Sequence, residues 1–262
     1  MHWFDVGVNV PSDDSTLAPM LMRATDANVQ QIMLTGTDLA ISQQAAQLAS
    51  LFPKQVYSTA GIHPHYAQHA PTDFAQQIKM LAEQPQVVAI GECGLDFNRD
   101  FSPRDMQLAV FEQQLIIACE LKMPVFLHER DAFDAQYALL QKYHQKLAGA
   151  LVHCFTGNTE QMQAYLALGC YIGVTGWVTD EKRGTELREA MAQLPLEHLI
   201  LETDAPYLKP KNLGPDKVKG VKQNEPCYIP VIAKTLASLM DTSVETIAEH
   251  SLRNTHQLLA LG

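Results

Sequence analysis

The sequence is poor in cysteine and has no long apolar run. Its five cysteines are Cys93, Cys119, Cys154, Cys170 and Cys227. Their number is odd, none of them forms a C-x-x-C pair, and neighbouring cysteines lie at least 16 residues apart. For these three reasons we expect reduced thiols. No window reaches the roughly 18 apolar residues of a membrane span, and the first residues lack the basic and apolar regions of a signal peptide. These absences predict a cytoplasmic protein that does not enter a membrane.

Positive charge is also scarce. Lys and Arg together number 19 against 29 Asp and Glu, so the formal net charge is −10. This balance disfavours a protein that coats nucleic acid electrostatically, and any phosphate site must therefore be local. One segment departs from the trend. Residues 209–222, which we call the basic loop, contain five lysines and one aspartate, a net charge of +4.

Short apolar runs alternate along the chain with segments of helical periodicity. The runs are Trp3–Val8, Gln31–Leu34, Val56–Ala60, Val87–Ile90, Pro124–Leu127, Ala150–Val152, Tyr171–Val174 and Leu199–Leu201. The helical segments include Leu39–Leu51, Met106–Leu121, Ala132–Lys146, Met162–Leu168, Ile229–Leu239 and Val244–Leu259. Eight strand–helix units predict an α/β fold, a (β/α)8 TIM barrel that residues 1–262 form as one domain. The alternative is an open doubly wound sheet, which usually has a glycine-rich phosphate turn after its first strand; residues 5–11 lack one.

Histidine and acidic side chains follow the predicted strands at the ends where a barrel builds its active site. They are His63, His65, Glu92, His128, His153, Glu202 and Asp204. A lone histidine is more often structural, but imidazoles and carboxylates converging from strands four, five, six and eight supply the donors that a divalent metal prefers. We therefore expect Glu92, His128 and His153 to bind a metal ion, with Asp204 as a fourth candidate ligand that also orients or deprotonates a water molecule.

Each candidate also has a structural interpretation. Glu92 is either a metal ligand or a barrel-interior acid neutralised by a basic side chain, although no basic residue adjoins it and Gly91 lets an ion approach closely. Asp204 is either part of the site or a helix cap before Pro206. His63 is the candidate for contacting substrate or the leaving group, with a loop hydrogen bond as the alternative.

Two further groups of side chains are candidates for binding substrate. Lys209, Lys211 and Lys222 belong to the basic loop, which follows strand eight at the barrel mouth and suits a phosphate-bearing substrate; a solvated loop is the alternative. Four aromatic residues flank strand ends, where a ring can stack on a base, but core packing explains each of them almost as well. They are Phe97, Phe155, Trp177 and Tyr207.

Taken together, five motifs spread over the whole chain resemble the TatD-type metal-dependent deoxyribonucleases. They are Phe4-Asp5-Val6-Gly7-Val8-Asn9, Ala60-Gly61-Ile62-His63-Pro64-His65, Ala89-Ile90-Gly91-Glu92-Cys93-Gly94-Leu95-Asp96, Val152-His153-Cys154-Phe155-Thr156-Gly157 and Leu201-Glu202-Thr203-Asp204-Ala205-Pro206-Tyr207-Leu208. The resemblance implies an amidohydrolase-like barrel that uses Mg²⁺, with Mn²⁺ or Zn²⁺ as alternatives, to cleave phosphodiesters. It further implies a 3′ to 5′ exonuclease on single-stranded DNA, with RNA as a second candidate substrate, and a role in DNA repair.

The resemblance also assigns roles to individual residues. The metal ligands are matched by Glu92, His128 and His153, and the acid of strand eight by Asp204. His63 and Glu202 match positions implicated in catalysis or substrate contact. In the segment after the basic loop, Asn224-Glu225-Pro226 matches a family signature and makes Asn224 a further substrate-binding candidate. Gln223 stands where an Arg often precedes that signature, and Lys222 is a poorer substitute because it lacks the bidentate guanidinium fork.

From the sequence we expect a metal-dependent nuclease, and we expect it to be a monomer. The nearer alternative is a hydrolase of the same fold that acts on another ester or amide, such as an aminoacyl-tRNA, and the further one is a non-catalytic binding barrel. Strand one carries Gly7-Val8-Asn9 where many barrel metallohydrolases have His-x-His. Since glycine offers no ligand and an amide oxygen is a weaker donor than imidazole, we expect one tightly bound ion and a second that binds weakly or only with substrate.

Overall fold

Eight parallel strands in sequential order form the centre of the fold. The structure is a computed structural model that describes residues 1–11 and 14–261. The strands are β1 (Trp3–Asn9), β2 (Val29–Thr35), β3 (Val56–Ala60), β4 (Val87–Asp96), β5 (Val125–Arg130), β6 (Ala150–Val152), β7 (Tyr171–Val174) and β8 (Leu199–Leu201). The helices are α1 (Leu17–Asp26), α2 (Leu39–Leu51), α3 (Phe74–Ala82), α4 (Arg104–Leu121), α5 (Phe133–Tyr143), α6 (Thr159–Ala167), α7 (Thr185–Met191), α8 (Ile229–Leu239) and α9 (Val244–Leu258). The predicted α/β barrel is confirmed, and the open-sheet alternative is wrong.

The seam between β8 and β1 closes the barrel with few backbone contacts. A single bridge joins Val8 to Ala205, and the Asn9 amide donates to the Ala205 carbonyl over 2.9 Å. The Asp5 carboxylate completes the seam by accepting from the Thr203 amide at 2.8 Å and the Thr203 hydroxyl at 2.5 Å. A side chain therefore links β1 to the segment that follows β8.

The largest difference from the predicted strand bounds lies at β4. Its apolar run stops at Ile90, but the strand continues to Asp96 because residues 93–96 pair with residues 127–130 of β5. The polar and small residues after Ile90 carry no apolar signal, so only pairing with the neighbouring strand extends them. As a result, Glu92 and Asp96 both stand on a strand.

Capping side chains set the starts of several helices. The Asp38 side chain accepts from the Ile41 amide at 2.8 Å, so α2 has the predicted bounds. At α6, Asn158 and Gln161 form a reciprocal capping box, and the helix begins at Thr159, three residues before the predicted Met162. The difference arises because the polar first turn of α6 has no apolar periodicity.

Apolar side chains fill both the barrel interior and the layer between strands and helices. Phe4, Val6, Met33, Phe126 and Ile200 form part of the interior cluster and are at most 2% exposed. A larger cluster packs the outer face of the sheet against the helices. No helix in the described ranges is both long and apolar enough to cross a bilayer. Apolar side chains fill the barrel interior, and the barrel is open to ligands at the carboxyl ends of its strands.

Candidate active site

A cleft of about 560 Å³ opens at the carboxyl ends of the strands. Its lining includes Asn9, His63, Glu92, His128, His153 and Asp204. These side chains come from β1, β4 and β5 and from the loops after β3, β6 and β8. The structure thus brings together five residues that the sequence predicts for the site: the four candidate metal ligands and His63.

Glu92 lies at the centre of this cluster and is 6% exposed. Its Oε1 is 3.0 Å from His128 Nδ1, 3.5 Å from His63 Nε2 and 3.9 Å from His153 Nε2. Burial acts to raise the pKa of Glu92, but the electrostatic interaction with His63 and the hydrogen bonds from His128 and His63 outweigh it and hold the pKa well below its usual value. The groups nearest to the carboxylate are thus histidines rather than Lys or Arg, and metal binding by Glu92 stays a prediction.

The glycine before Glu92 lets β4 approach β5 closely. Gly91 has φ of +142°, and a Cβ at this position would lie 2.3 Å from the Phe126 carbonyl oxygen. Any larger residue would both strain the backbone and push the strands apart. Gly91 thus permits the close approach of β4 and β5 directly before Glu92.

His63 presents a neutral N–H group to the cleft. Its Nδ1 accepts a hydrogen bond from the His65 amide at 3.1 Å, so its proton lies on Nε2, which faces Glu92. Burial, partly opposed by the charge of Glu92, lowers the pKa of His63 to about 4. Because Nε2 carries the proton, His63 is a hydrogen-bond donor at neutral pH rather than a ready metal ligand.

His128 bridges two carboxylates. Its Nδ1 is 3.0 Å from Glu92 and its Nε2 is 3.2 Å from Asp96 Oδ2. Burial opposes protonation, but the hydrogen bonds to Asp96 and Glu92 outweigh it and raise the pKa of His128 to about 9. Asp96 also accepts from His65 Nε2 at 2.7 Å. Asp96 was not among the predicted site residues, because the predicted strand ended at Ile90 and only pairing with β5 places Asp96 on the same strand as Glu92.

His153 is fixed from behind by Glu202. The Nδ1 of His153 donates to Glu202 Oε2 at 2.5 Å, and the Cys154 amide donates to Glu202 Oε1 at 2.5 Å. Burial opposes protonation, but the charge of Glu202 outweighs it and raises the pKa of His153 to about 10. Nε2 of the same ring points into the cleft, 3.9 Å from both Glu92 and Asp204.

Two glycines leave the space that Glu202 occupies. A Cβ at Gly7 would lie 2.4 Å from Glu202 Oε2, and one at Gly173 would lie 2.3 Å from Glu202 Oε1. Glu202 is fully buried, so its carboxylate stays behind His153. The strand-one position that holds histidine in many barrel metallohydrolases is therefore closed here to any larger side chain.

Asp204 faces His153 across the cleft. Its Oδ1 accepts from Asn9 Nδ2 at 3.0 Å, and burial raises the pKa of Asp204 to about 7. Both Asp204 (φ +56°) and Cys154 (φ +46°) adopt the left-handed conformation, which costs free energy for residues other than glycine. Such strain is typical of functional sites. The hydrogen bonds from Asn9 and to Glu202 hold these two residues in place.

The four predicted metal ligands belong to two adjoining groups of donor atoms, which also contain His63 and Cys154. One consists of His63, Glu92 and His128, and the other of His153, Cys154 and Asp204; within each group the donor atoms lie within 4.8 Å of one another. Glu92 faces both groups, since its Oε1 is 3.9 Å from His153 Nε2. Imidazole nitrogens and carboxylate oxygens at this spacing suit a divalent ion.

The basic loop lies away from this cluster. Of the residues that the structure describes, those lining the cleft include no lysine. The ammonium group of Lys209 donates instead to the carbonyls of Val221 and Lys222, at 2.8 and 3.0 Å. Asn224 is buried, and its amide donates to the carbonyls of Thr203 and Tyr207 at 2.8 and 2.6 Å. Substrate binding by Lys209, Lys211, Lys222 and Asn224 stays a prediction.

Several residues that support or line the cleft were not predicted from the sequence. Gln114 pairs with both the amide and the carbonyl of Ile62, at 2.8 and 3.0 Å, and Gln107 does the same for Asp96, at 2.8 and 3.1 Å. Both glutamines are buried on α4 at a spacing of seven residues, which places them on one face of the helix. This polar pair within an amphipathic helix was a signal. Arg99 and Arg130, which line the cleft, had none.

The chain is similar to known proteins over almost its whole length. Residues 4–260 match the family model described as TatD related DNase. The chain is 46% identical to 3′-5′ ssDNA/RNA exonuclease TatD of Pantoea sp. (strain At-9b), over 99% of this chain and 100% of that protein. It is 48% identical to the protein of the same name from Escherichia fergusonii, over 93% and 98%. The solved structure of YJJV, a TatD homolog from Escherichia coli K12, superposes with a TM-score of 0.89 at 27% identity, over 99% and 98%.

Proposed function

Because the chain belongs to the TatD related DNase family, we propose that it is a divalent-metal-dependent nuclease that removes nucleotides from the 3′ end of single-stranded DNA or RNA. The curated relatives that carry this activity in their names are similar over nearly the whole chain. The arrangement of the cleft supports the same reaction, since it combines metal-binding groups, a titratable acid and cationic side chains.

The environment of His153 is the observation that carries the proposal. Its Nδ1 proton is held by Glu202, so Nε2 is the nitrogen that would bind a divalent ion. A carboxylate behind a histidine in this way fixes its tautomer and raises its basicity toward the metal. Nε2 then faces Glu92 and Asp204, the two carboxylates nearest to it in the cleft.

We propose that Glu92, His128, His153 and Asp204 hold the ion. When bound, a divalent ion polarises a phosphoryl oxygen and lowers the pKa of a coordinated water molecule. Mg²⁺ is the ion that we propose, because it retains several waters and relies on substrate phosphates, with Mn²⁺ and Zn²⁺ as the alternatives to test. His128 must lose one of its two ring protons before it joins the set.

Asp204 and His63 provide the proton chemistry and the contact to phosphate. Asp204 is placed to accept a proton from the attacking water, since its carboxylate faces His153 Nε2 across the cleft at 3.9 Å. The water oxygen bonds to phosphorus, the sugar oxygen leaves with the electron pair of the broken bond, and solvent protonates it. His63 donates its Nε2 hydrogen to a phosphoryl oxygen, and this hydrogen bond strengthens as charge develops.

Arg99 and Arg130 are positioned to bind the phosphates of the strand. Both line the cleft, and Arg130 Nη1 is held by a hydrogen bond of 3.2 Å to Thr156 Oγ1. A guanidinium can bind phosphate through two parallel hydrogen bonds, which a lysine cannot do. We assign them to the phosphates nearest the scissile bond.

End-labelled oligonucleotides test the proposal. Purified protein is incubated with single- and double-stranded DNA and RNA, and with an aminoacyl-tRNA, in Mg²⁺, Mn²⁺, Zn²⁺ or chelator. We expect stepwise shortening of single strands from the 3′ end, which chelator stops and which Glu92→Gln and His153→Ala abolish. Glu112→Gln on α4, a half-buried carboxylate outside the cleft that pairs with Lys142, serves as the control. Cleavage that survives chelator, or well-folded Glu92→Gln with full activity, would contradict the assignment.

A further inference from the structure

Every largely exposed aromatic side chain in the described ranges lies at the catalytic cleft. The chain contains nine Phe, eight Tyr and two Trp. Of these, Tyr66, Phe101 and Tyr207 stand out as 43%, 58% and 62% exposed, and all three line the cleft. Leaving a large ring in water forgoes the free energy of burying it, so exposure confined to one site favours a function there.

The four aromatic residues predicted as candidates for stacking differ clearly in the exposure of their rings. Phe155 is buried at 3% exposure. Phe97 and Trp177 are half-buried, and each ring is covered by a guanidinium group, that of Arg104 at 4.4 Å and that of Arg183 at 5.0 Å. Tyr207 alone among the four keeps a largely exposed ring.

Tyr207 has a fixed backbone and an exposed ring. Its amide donates to the Asp204 carbonyl at 2.9 Å, and its carbonyl accepts from the buried Asn224 amide at 2.6 Å. The ring is thus anchored three residues from a proposed catalytic acid. A rigidly attached aromatic face loses little conformational entropy when it binds a flat ligand.

Tyr66 and Phe101 belong to the loops that follow β3 and β4. The Phe101 ring packs edge-on against His65, with centroids 4.7 Å apart, and the Tyr66 ring lies 6.4 Å from His63. These contacts place both rings beside the histidines of the cleft, while Tyr207 belongs to the loop after β8. Aromatic faces from three loops therefore border the position of the scissile phosphate.

We propose that these residues, the aromatic rim of Tyr66, Phe101 and Tyr207, bind unpaired nucleobases of the substrate by stacking. The inference rests on the proposed nuclease function and names its base-binding residues. Arg99 and Arg130 line the same cleft, so a ligand there must present flat apolar faces together with anionic groups, as a single strand does. A folded protein partner would instead favour a continuous apolar patch. In a duplex, neighbouring base pairs cover the faces of each base, so the rim selects single strands.

The test compares binding of two strands that differ only in their bases. One is a short oligothymidylate and the other the same strand with abasic residues at its 3′-terminal positions; fluorescence anisotropy in chelator gives the Kd of each. We expect wild-type protein to bind the abasic strand more weakly by roughly 5- to 150-fold for each stacked base lost. Tyr207→Leu, Phe101→Leu and Tyr66→Leu should each reduce this ratio. Tyr207→Phe, Tyr66→Phe and Phe101→Tyr, which keep the ring, should retain it, as should Met80→Ala, an exposed apolar site on α3.

Equal Kd values of wild-type protein for the two strands would overturn the proposal without any variant. A wild-type ratio in all three leucine variants would also overturn it, provided that thermal unfolding shows them to be folded. Capture of a protein partner through the rim, with no dependence on bases, would assign the surface to a different ligand and refute the inference. Cleavage by wild-type protein is measured separately. If the protein cleaves single strands but its Kd values for the two strands are equal, base binding by the rim is refuted and the nuclease function stands. If binding depends on the bases but no cleavage occurs, the nuclease function is refuted and base binding by the rim stands.

Discussion

Replacing Glu202 by glutamine should weaken metal binding and leave the shape of the site nearly unchanged. Glu202 accepts from two N–H groups, His153 Nδ1 and the Cys154 amide, and is fully buried. Glutamine offers one oxygen and one NH₂ group. Because a backbone amide can only donate, the oxygen turns to Cys154 and the NH₂ group faces His153 Nδ1, which forces the imidazole proton onto Nε2. The nitrogen that faces the cleft then has no lone pair for an ion.

The size of this effect follows from the contacts that are lost. Removing the carboxylate behind a metal-ligating histidine typically lowers metal affinity by about 10- to 100-fold, or about 1.4 to 2.8 kcal/mol. Replacing a charge-assisted hydrogen bond in a buried site costs a further ~1.5 to 3 kcal/mol of folding stability in the metal-free protein. Both losses should appear together, because one carboxylate serves both functions.

The assay combines metal titration, urea unfolding and nitrogen NMR of the His153 ring. We expect Glu202→Gln to bind Mn²⁺ about 10- to 100-fold more weakly and to show its imidazole proton on Nε2. Glu129→Gln is the matched control, because its side-chain oxygen can still accept the Ala132 amide at 2.8 Å. Wild-type Mn²⁺ affinity in Glu202→Gln would refute the reasoning. Lost turnover with intact metal binding would instead return Glu202 to a direct catalytic role.

Three further predictions concern the seam, the cleft support and the phosphate contacts. Burial raises the pKa of Asp5 from 3.8 to about 7, so the folded state keeps a proton that the unfolded chain loses. This proton should contribute a fall in unfolding free energy of about 2 to 3 kcal/mol between about pH 5 and 8, and Asp5→Asn should reduce the measured slope by that contribution while Asp204 and the histidines keep theirs. Equal slopes in urea unfolding would contradict this. Gln114→Leu should lower the free energy of unfolding by about 2 to 6 kcal/mol, because it leaves the Ile62 amide and carbonyl unpaired. A loss below about 1 kcal/mol would show that these two groups find other partners. Arg130→Gln should lower the slope of log affinity against log salt by about 0.7 for a single strand. The same measurement on a variant with Lys209, Lys211 and Lys222 all replaced by Gln tests whether the basic loop binds substrate. An unchanged slope would assign the loop to solvent.

Stoichiometry of metal binding tests the inference from strand one. Gly7 leaves no room for a ligand, because Glu202 occupies the space beside it, and the Asn9 amide donates to Asp204. Dialysed protein should therefore retain one tightly bound ion, with a second appearing only in the presence of a non-cleavable oligonucleotide. Two ions held tightly by the free protein, measured by elemental analysis, would contradict this expectation.

Local pattern was sufficient to predict the barrel and the residue types at its mouth. Apolar runs of a few residues become strands and periodic segments become helices, because burial of an apolar face is decided within each segment. Alternation of the two kinds of segment admits few topologies, and a polar residue directly after a buried strand must lie at the barrel mouth. The candidate residues Glu92, His128, His153 and Asp204 were accessible for this reason.

Only the tertiary structure decided what each of these side chains does there. The ring nitrogens that face the cleft depend on the His65 amide for His63 and on Glu202, 49 residues along the chain, for His153. The charge of Asp204 depends on burial by distant segments. Exposure of an aromatic ring is likewise a property of the packed molecule, which is why Tyr207 could not be told from Phe155 in the sequence. Tautomer, charge state and exposure arise from contacts between segments that no local pattern encodes, because the energy of a buried polar or apolar group is set by whatever surrounds it.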